Sequence, residues 1–216
     1  MTRLVELRVS ADPQAWRAAG VPLDADGLGW LGSVHLRVDP ALGRPGLRSW
    51  ALELGSGAAV ADVDGLPTDV GPAPSVAAPP DGDGPLGVTG IDHVVVLTPD
   101  LDRTVTAVVE QLGVALLRIR DGQTGGSAVR QAFFRLGEVV LEVVAGGSPE
   151  RGGGEPARFY GLALTVTDLD AAANHLGDLV GPVKPAVQRD RSIATVRREA
   201  GLGAAVALMS PTPARA

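Results

Sequence analysis

An α+β fold of paired βαβββ modules with a degenerate N-terminal extension is what this sequence predicts, and three observations carry the prediction. HVVVLTPDLD, from His93 to Asp102, reads like GLALTVTDLD, from Gly161 to Asp170, at an offset of 68 residues. LGEVVLEVV from Leu136 reads like LGAAVALMS from Leu202 at an offset of 66. Two matches in the same order at nearly one spacing point to a duplicated unit. The third observation is a proline-rich stretch, Leu66 to Gly87, with Pro at 67, 72, 74, 79, 80 and 85, which reads as a linker ahead of the repeats. The division is therefore 1–65 as a degenerate βαβββ-like region, 66–87 as linker, and 88–212 as two units, 88–147 and 158–212.

In the first unit, Ile91 to Leu97 is β-branched and apolar, hence a strand. Thr98 suits an N-cap, Pro99 the first helical position, and Asp100 and Asp102 the positive end of a helix that Gly113 stops. Three strands follow, Val114 to Arg120, Ala128 to Leu136 and Glu138 to Ala145, with DGQTGG from Asp121 as the first turn. The second unit repeats the order. A strand runs from Tyr160 to Val166, a helix capped by Thr167 reaches Leu179, and strands lie at 183–188, 192–198 and 204–209. In the N-terminal region, Leu4 to Val9 reads as a strand, Pro13 to Ala19 as a short helix and Leu31 to Val38 as a further strand. Trp30 and Trp50 pack against neighbours.

Composition limits the function. The formal charge is −6, no cysteine is present, and the 19 basic residues include one lysine, Lys184, with no basic run. Nucleic-acid binding, disulfides and thiolate chemistry are not expected. Glu6 and Arg8 interrupt the N-terminal stretch where a secretory signal would be apolar, and no run is long enough to span a bilayer, so the expectation is a cytoplasmic protein without a membrane partner.

The stretches GIDHVVVLTPDLD and FFRLGEVVLEVV, with the second Asp-Leu-Asp helix entry, resemble the vicinal oxygen chelate superfamily, which includes glyoxalase I, extradiol dioxygenases, methylmalonyl-CoA epimerase and the bleomycin-resistance proteins. The resemblance covers Val88 to Pro211. It implies that a His on the first strand and a Glu on the last strand of a module contribute to a divalent-metal site shared by two modules, in a cleft that takes a small organic molecule. His93 and Glu142 occupy those positions in the first unit. Imidazole and carboxylate suit iron, zinc, manganese or nickel, and a metal with open positions polarises substrate oxygens.

On the offsets of 68 and 66 the matching residues of the second unit are Gly161 and Leu208, which cannot ligate through a side chain. In the N-terminal region Arg37 falls level with Glu142 and Val5 level with His93. The metal is thus expected to be weak or absent and its site partial or vestigial. A third ligand could come from Tyr160 by a one-residue register shift, from His35, or from a second chain across a homodimer. Gln131, Phe133 and Arg135 alternate on one strand face and, with Tyr160, are candidates for contacting an anionic or oxygenated ligand. The functional expectation is a protein that binds a small organic molecule; a metal-dependent lyase, isomerase or dioxygenase and a non-catalytic interaction domain are the alternatives. The acids near the helix starts, His175 and the Gly152–Gly154 run have plain structural explanations as caps, a solvated helix flank and a loop.

Overall fold

The computed structural model describes all residues except 56–58, 73–81, 83, 125, 147–153 and 214–216. The N-terminal elements are β1 (Arg3–Ser10), α1 (Pro13–Ala18), β2 (Leu28–Leu31), β3 (Val34–Val38), β4 (Gly46–Glu53), β5 (Asp62–Val63) and β6 (Leu66–Val70). The first repeat holds β7 (Val88–Thr98), α2 (Leu101–Leu112), β8 (Arg118–Thr124), β9 (Ser127–Leu136) and β10 (Val139–Gly146). The second holds β11 (Arg158–Val166), α3 (Leu169–Leu176), β12 (Lys184–Pro185), β13 (Ser192–Thr195) and β14 (Ala205–Met209). Both repeats follow the β-α-β-β-β order.

The repeats form one eight-stranded sheet, β12-β13-β14-β11-β7-β10-β9-β8, with the two first strands antiparallel at its centre. Each first strand lies parallel to the last strand of its own unit, β7 beside β10 and β11 beside β14. The N-terminal sheet, β2-β3-β1-β4-β6-β5, reuses this scheme with fewer strands. There β1 is parallel to β3, β4 is parallel to β6, and β1 and β4 are antiparallel at the centre. One buried cluster joins the apolar faces of both sheets, including Leu7, Trp50 and Leu52 from one and Val94, Val96 and Leu164 from the other. Trp50 meets Phe159 edge-on at 5.1 Å, an arrangement that adds to simple burial. The opposite face of the larger sheet is left free for a cleft.

Several boundaries differ from expectation for local reasons. Leu66–Val70 is a strand, not linker, because Leu66 and Thr68 alternate into the core and outweigh the single donor lost at Pro67. The stretch Leu31 to Val38 is a hairpin, since Gly32 takes φ 64 at the turn. The helix caps are Asp100 and Asp168, each accepting a backbone N–H, and not Thr98 and Thr167. A carboxylate at the N-terminus has the better acceptor and the favourable charge. Thr98 instead accepts from the Asp100 amide at 3.1 Å. In the second unit the strand expected at 183–188 shrinks to Lys184–Pro185, and the one expected at 192–198 ends at Thr195. In the first, β8 starts at Arg118 and runs through the expected turn to Thr124. His175 is exposed, and Gly152 and Gly153 lie outside the described residues.

Candidate functional site

The cleft face of the larger sheet carries polar side chains where the opposite face carries core residues. On β10, Val140, Glu142 and Val144 are half-buried while Leu141 and Val143 are fully buried. On β7 this alternation slips. Ladder pairing sets Ala163 against His93 and Leu164 against Ile91, so Asp92 is the extra residue of a β-bulge. Asp92 and His93 therefore turn to the same side, between buried Ile91 and Val94.

This bulge assembles a chain of polar contacts. His93 Nδ1 lies 2.7 Å from Asp92 Oδ1, and because a carboxylate only accepts, the ring nitrogen is the donor. The other ring nitrogen, Nε2, is turned toward Glu142, whose Oε2 is 3.8 Å away. Arg191 Nη1 ion-pairs with Asp92 Oδ2, and Arg191 also donates to the Ser210 carbonyl at 2.9 and 2.7 Å. Burial alone would push the Asp92 carboxyl up. Hydrogen bonds from His93 and Arg191, with their charges, outweigh it and hold that carboxyl below its usual range. On the other side Gln131 Nε2 donates to Glu142 Oε1, while Gln131 Oε1 is buried without a partner.

The cleft has two lobes that meet at Gln131 and Glu142. One, of about 540 Å³, is lined by Val95, Leu97, Val129, Val144, Arg158 and Tyr160 among others. The other, of about 760 Å³, holds His93, Arg118, Arg120 and Phe133 on one side and the segment from Lys184 to Arg189 on the other. The sheet has curled until its two edges, β8 and β12, line one cavity. Arg118 lies over the Phe133 ring at 4.6 Å from its centre, a cation–π contact.

Of the residues singled out from sequence, His93, Glu142, Gln131, Phe133 and Tyr160 come together here. Tyr160 reaches the cleft because it is the extra residue of a second bulge, between Phe159 opposite Val96 and Gly161 opposite Val95. Arg135 does not join them. It stands exposed at the end of β9, donating to the Glu138 carbonyl at 3.2 Å, and lines neither lobe. His35 is engaged in the N-terminal sheet, 2.9 Å from Glu6 and edge-on to Trp30 at 5.0 Å.

Sequence reasoning missed Asp92, Arg191 and Arg189. Adjacent residues on a regular strand face opposite ways, which hides Asp92; the spacing of three between Ile91 and Val94 was the available signal of a bulge. The two arginines had none.

Residues 90–193 match the sequence profile of the Glyoxalase/Bleomycin resistance protein/Dioxygenase superfamily. That segment is a member of the superfamily. No curated protein sequence matches the chain. Among solved structures, a triple mutant of 4-hydroxymandelate synthase from Streptomyces coelicolor superposes with a TM-score of 0.67, covering 99% of this chain and 94% of that one at 16% identity. Methylmalonyl-CoA epimerase from Mycobacterium tuberculosis gives a TM-score of 0.46 at 20% identity over 58% of this chain and 90% of that one. At 16% identity the likeness to the synthase establishes the fold and not the reaction.

The superfamily resemblance implies a divalent metal, and the donor set here does not complete a site for one. Asp100 and Asp168 cap equivalent helices, so the offset of 68 places Gly161 at the position of His93. A Cβ there would stand 2.0 Å from the Ala205 carbonyl oxygen, so no side chain of any kind fits. Ladder pairing corrects the other comparison. Glu142 sits opposite Val95, and 68 residues on, Ala163 sits opposite Ala207, so the counterpart of Glu142 is Ala207 and not buried Leu208. In the N-terminal sheet the same correction puts Glu6 rather than Val5 level with His93 when Arg37 is level with Glu142. Gln131 turns its amide NH₂, not its oxygen, to Glu142. Among the described residues no group of three His, Cys, Asp or Glu is arranged to hold a metal. Two protein ligands remain where catalytic sites of this type use three.

Proposed function

We propose that this chain is a cytoplasmic superfamily protein that binds a small organic molecule in the two-lobed cleft, with His93 and Glu142 a vestige of a metal site. One observation carries the reading: Gln131 and Glu142 line both lobes, so a molecule lying across the cleft meets the polar centre whichever end enters first. Tyr160, Val144 and Leu97 offer apolar and aromatic surface to the body of the ligand, Phe133 and Gln131 lie beside its polar end, and Arg135 is withdrawn from the contact set. His93 is held in one tautomer by Asp92, which suits it to accept a hydrogen bond or proton at Nε2 from a bound molecule.

Protein-observed NMR against a set of neutral and charged small organic compounds tests this. Compounds that shift the amide signals of Val144, Tyr160 and Phe133 together support it. A set in which no compound perturbs those positions overturns it. Elemental analysis of protein purified without a chelating tag tests the vestigial reading. Iron, zinc, manganese and nickel are each expected well below one per chain; a near-stoichiometric metal lost in His93→Ala would establish the enzyme alternative instead. A homodimer is also proposed as open to the exposed apolar edge at Leu116, Leu117 and Ile119, and sedimentation would detect it.

A further inference from the structure

The larger lobe is unusual for its charge. The chain as a whole is acidic, −6, yet this lobe sets Arg118, Arg120, Lys184 and Arg189 against the single carboxylate of Glu142. That carboxylate already accepts a hydrogen bond from the Gln131 amide. Some arginines elsewhere find acids, such as Arg3 with Glu53, Arg8 with Glu6 and Asp69, and Arg191 with Asp92, and others, such as Arg44, Arg48 and Arg158, have no ion pair among the described residues. What sets the lobe apart is that four cations converge on one cavity. The four cations of the lobe have no carboxylate partner among the described residues. Like charges held along one cavity repel, a cost that is offset when an anion sits among them.

Their origin matters as much as their number. Arg118 and Arg120 stand on β8, at one edge of the sheet, with Arg118 steadied by the Phe133 ring. Lys184 and Arg189 come from β12 and the loop after it, at the other edge. That loop is closed by the Ala186 amide donating to the Arg191 carbonyl at 2.9 Å, and Arg191 ties it to Asp92 on β7. The two pairs of cations thus line one cavity from elements far apart in sequence.

We propose that the lobe is a clasp for a compact oxyanion, a carboxylate or phosphoryl group carried by the small molecule, gripped between β8 and the β12 loop. This rests on the small-molecule reading above and specifies its ligand as an organic acid or phosphate whose uncharged body extends past Glu142 toward Tyr160. The guanidiniums of Arg118, Arg120 and Arg189 suit both groups, since each group offers two oxygens to a fork of N–H donors, and Lys184 adds a point charge.

Inorganic phosphate and malonate are the probes, each compared with sodium chloride at equal ionic strength so that general screening cancels. Melting temperature and NMR titration are read for the wild type, Arg118→Gln/Arg120→Gln, Lys184→Gln/Arg189→Gln, and a control, Arg44→Gln/Arg48→Gln, which removes two arginines outside the cleft. One or both probes should raise the melting temperature of the wild type beyond chloride, with affinity at least about tenfold weaker in each cleft pair and unchanged in the control. Response to phosphate alone identifies a phosphoryl group, and response to malonate alone a carboxylate. An effect no larger than that of chloride, or equal in the cleft pairs and the wild type, overturns the clasp. If neutral compounds still shift the Tyr160 and Val144 signals in that event, the clasp fails while the small-molecule reading stands.

Discussion

Arg191 and Asp92 show how much a single pair decides. The Arg191 side chain is 5% exposed, and the charge it brings inside is matched by Asp92 and by the Ser210 carbonyl. Truncating the acid leaves a buried guanidinium uncompensated, so Asp92→Ala is expected to cost about 3 kcal/mol in urea unfolding. Arg191→Met should cost less, because Asp92 keeps its bond from His93, and the double variant should fall short of the sum. Nitrogen NMR should find His93 protonated at Nδ1 in the wild type and a mixture of tautomers in Asp92→Ala. An unchanged tautomer would mean that Asp92 does not orient the ring.

Individual elements are set by short-range chemistry that can be tested the same way. The two repeat helices begin at Asp100 and Asp168, whose side chains accept from Arg103 at one and from Asp170 and Ala171 at the other. Replacing either by Ala should cost about 1 kcal/mol, and the two losses should add because the caps share no partner. Gly161 is a sharper case. Its place beside the Ala205 carbonyl leaves no room for a methyl group, so Gly161→Ala should destabilise by about 2 kcal/mol or more, through forced separation of β11 from β14. The same obstruction explains why the second repeat cannot regain a first-strand ligand by a single substitution.

At the scale of the molecule, two partly buried acids give folding a defined dependence on pH. Asp92 and Glu6 both have carboxyls held below their usual range. Burial opposes this in each, while His93 and Arg191 in one case, and His35 and Arg8 in the other, prevail. A depressed native value means stability that is complete above the unfolded range, about pH 4, and is lost as pH falls through the lower native values. Urea midpoints should therefore hold steady from pH 7 to about 5 and then decline. The combined Asp92→Asn and Glu6→Gln variant should begin lower and decline less. An equal acid slope would show that other carboxylates govern it.

The sequence by itself determined the tandem modules, their element order, the position of both helices and the sharing of one strand face by Gln131 and Phe133. Those properties follow from hydrophobic periodicity, end-capping acids and alternation, all of which act within a few residues. His93 and Glu142 were singled out by the superfamily resemblance, and which face looks into the cleft was left to the tertiary structure. Tertiary structure alone decided the register. With a side-chain period of two, one extra residue reverses every later assignment, which is why Asp92 joined His93, why Tyr160 turned inward and why Ala207, not Leu208, stands where Glu142 would be. It also decided which cations meet, because β8 and the β12 loop become neighbours only when the whole sheet curls, and nothing local in either segment carries that information.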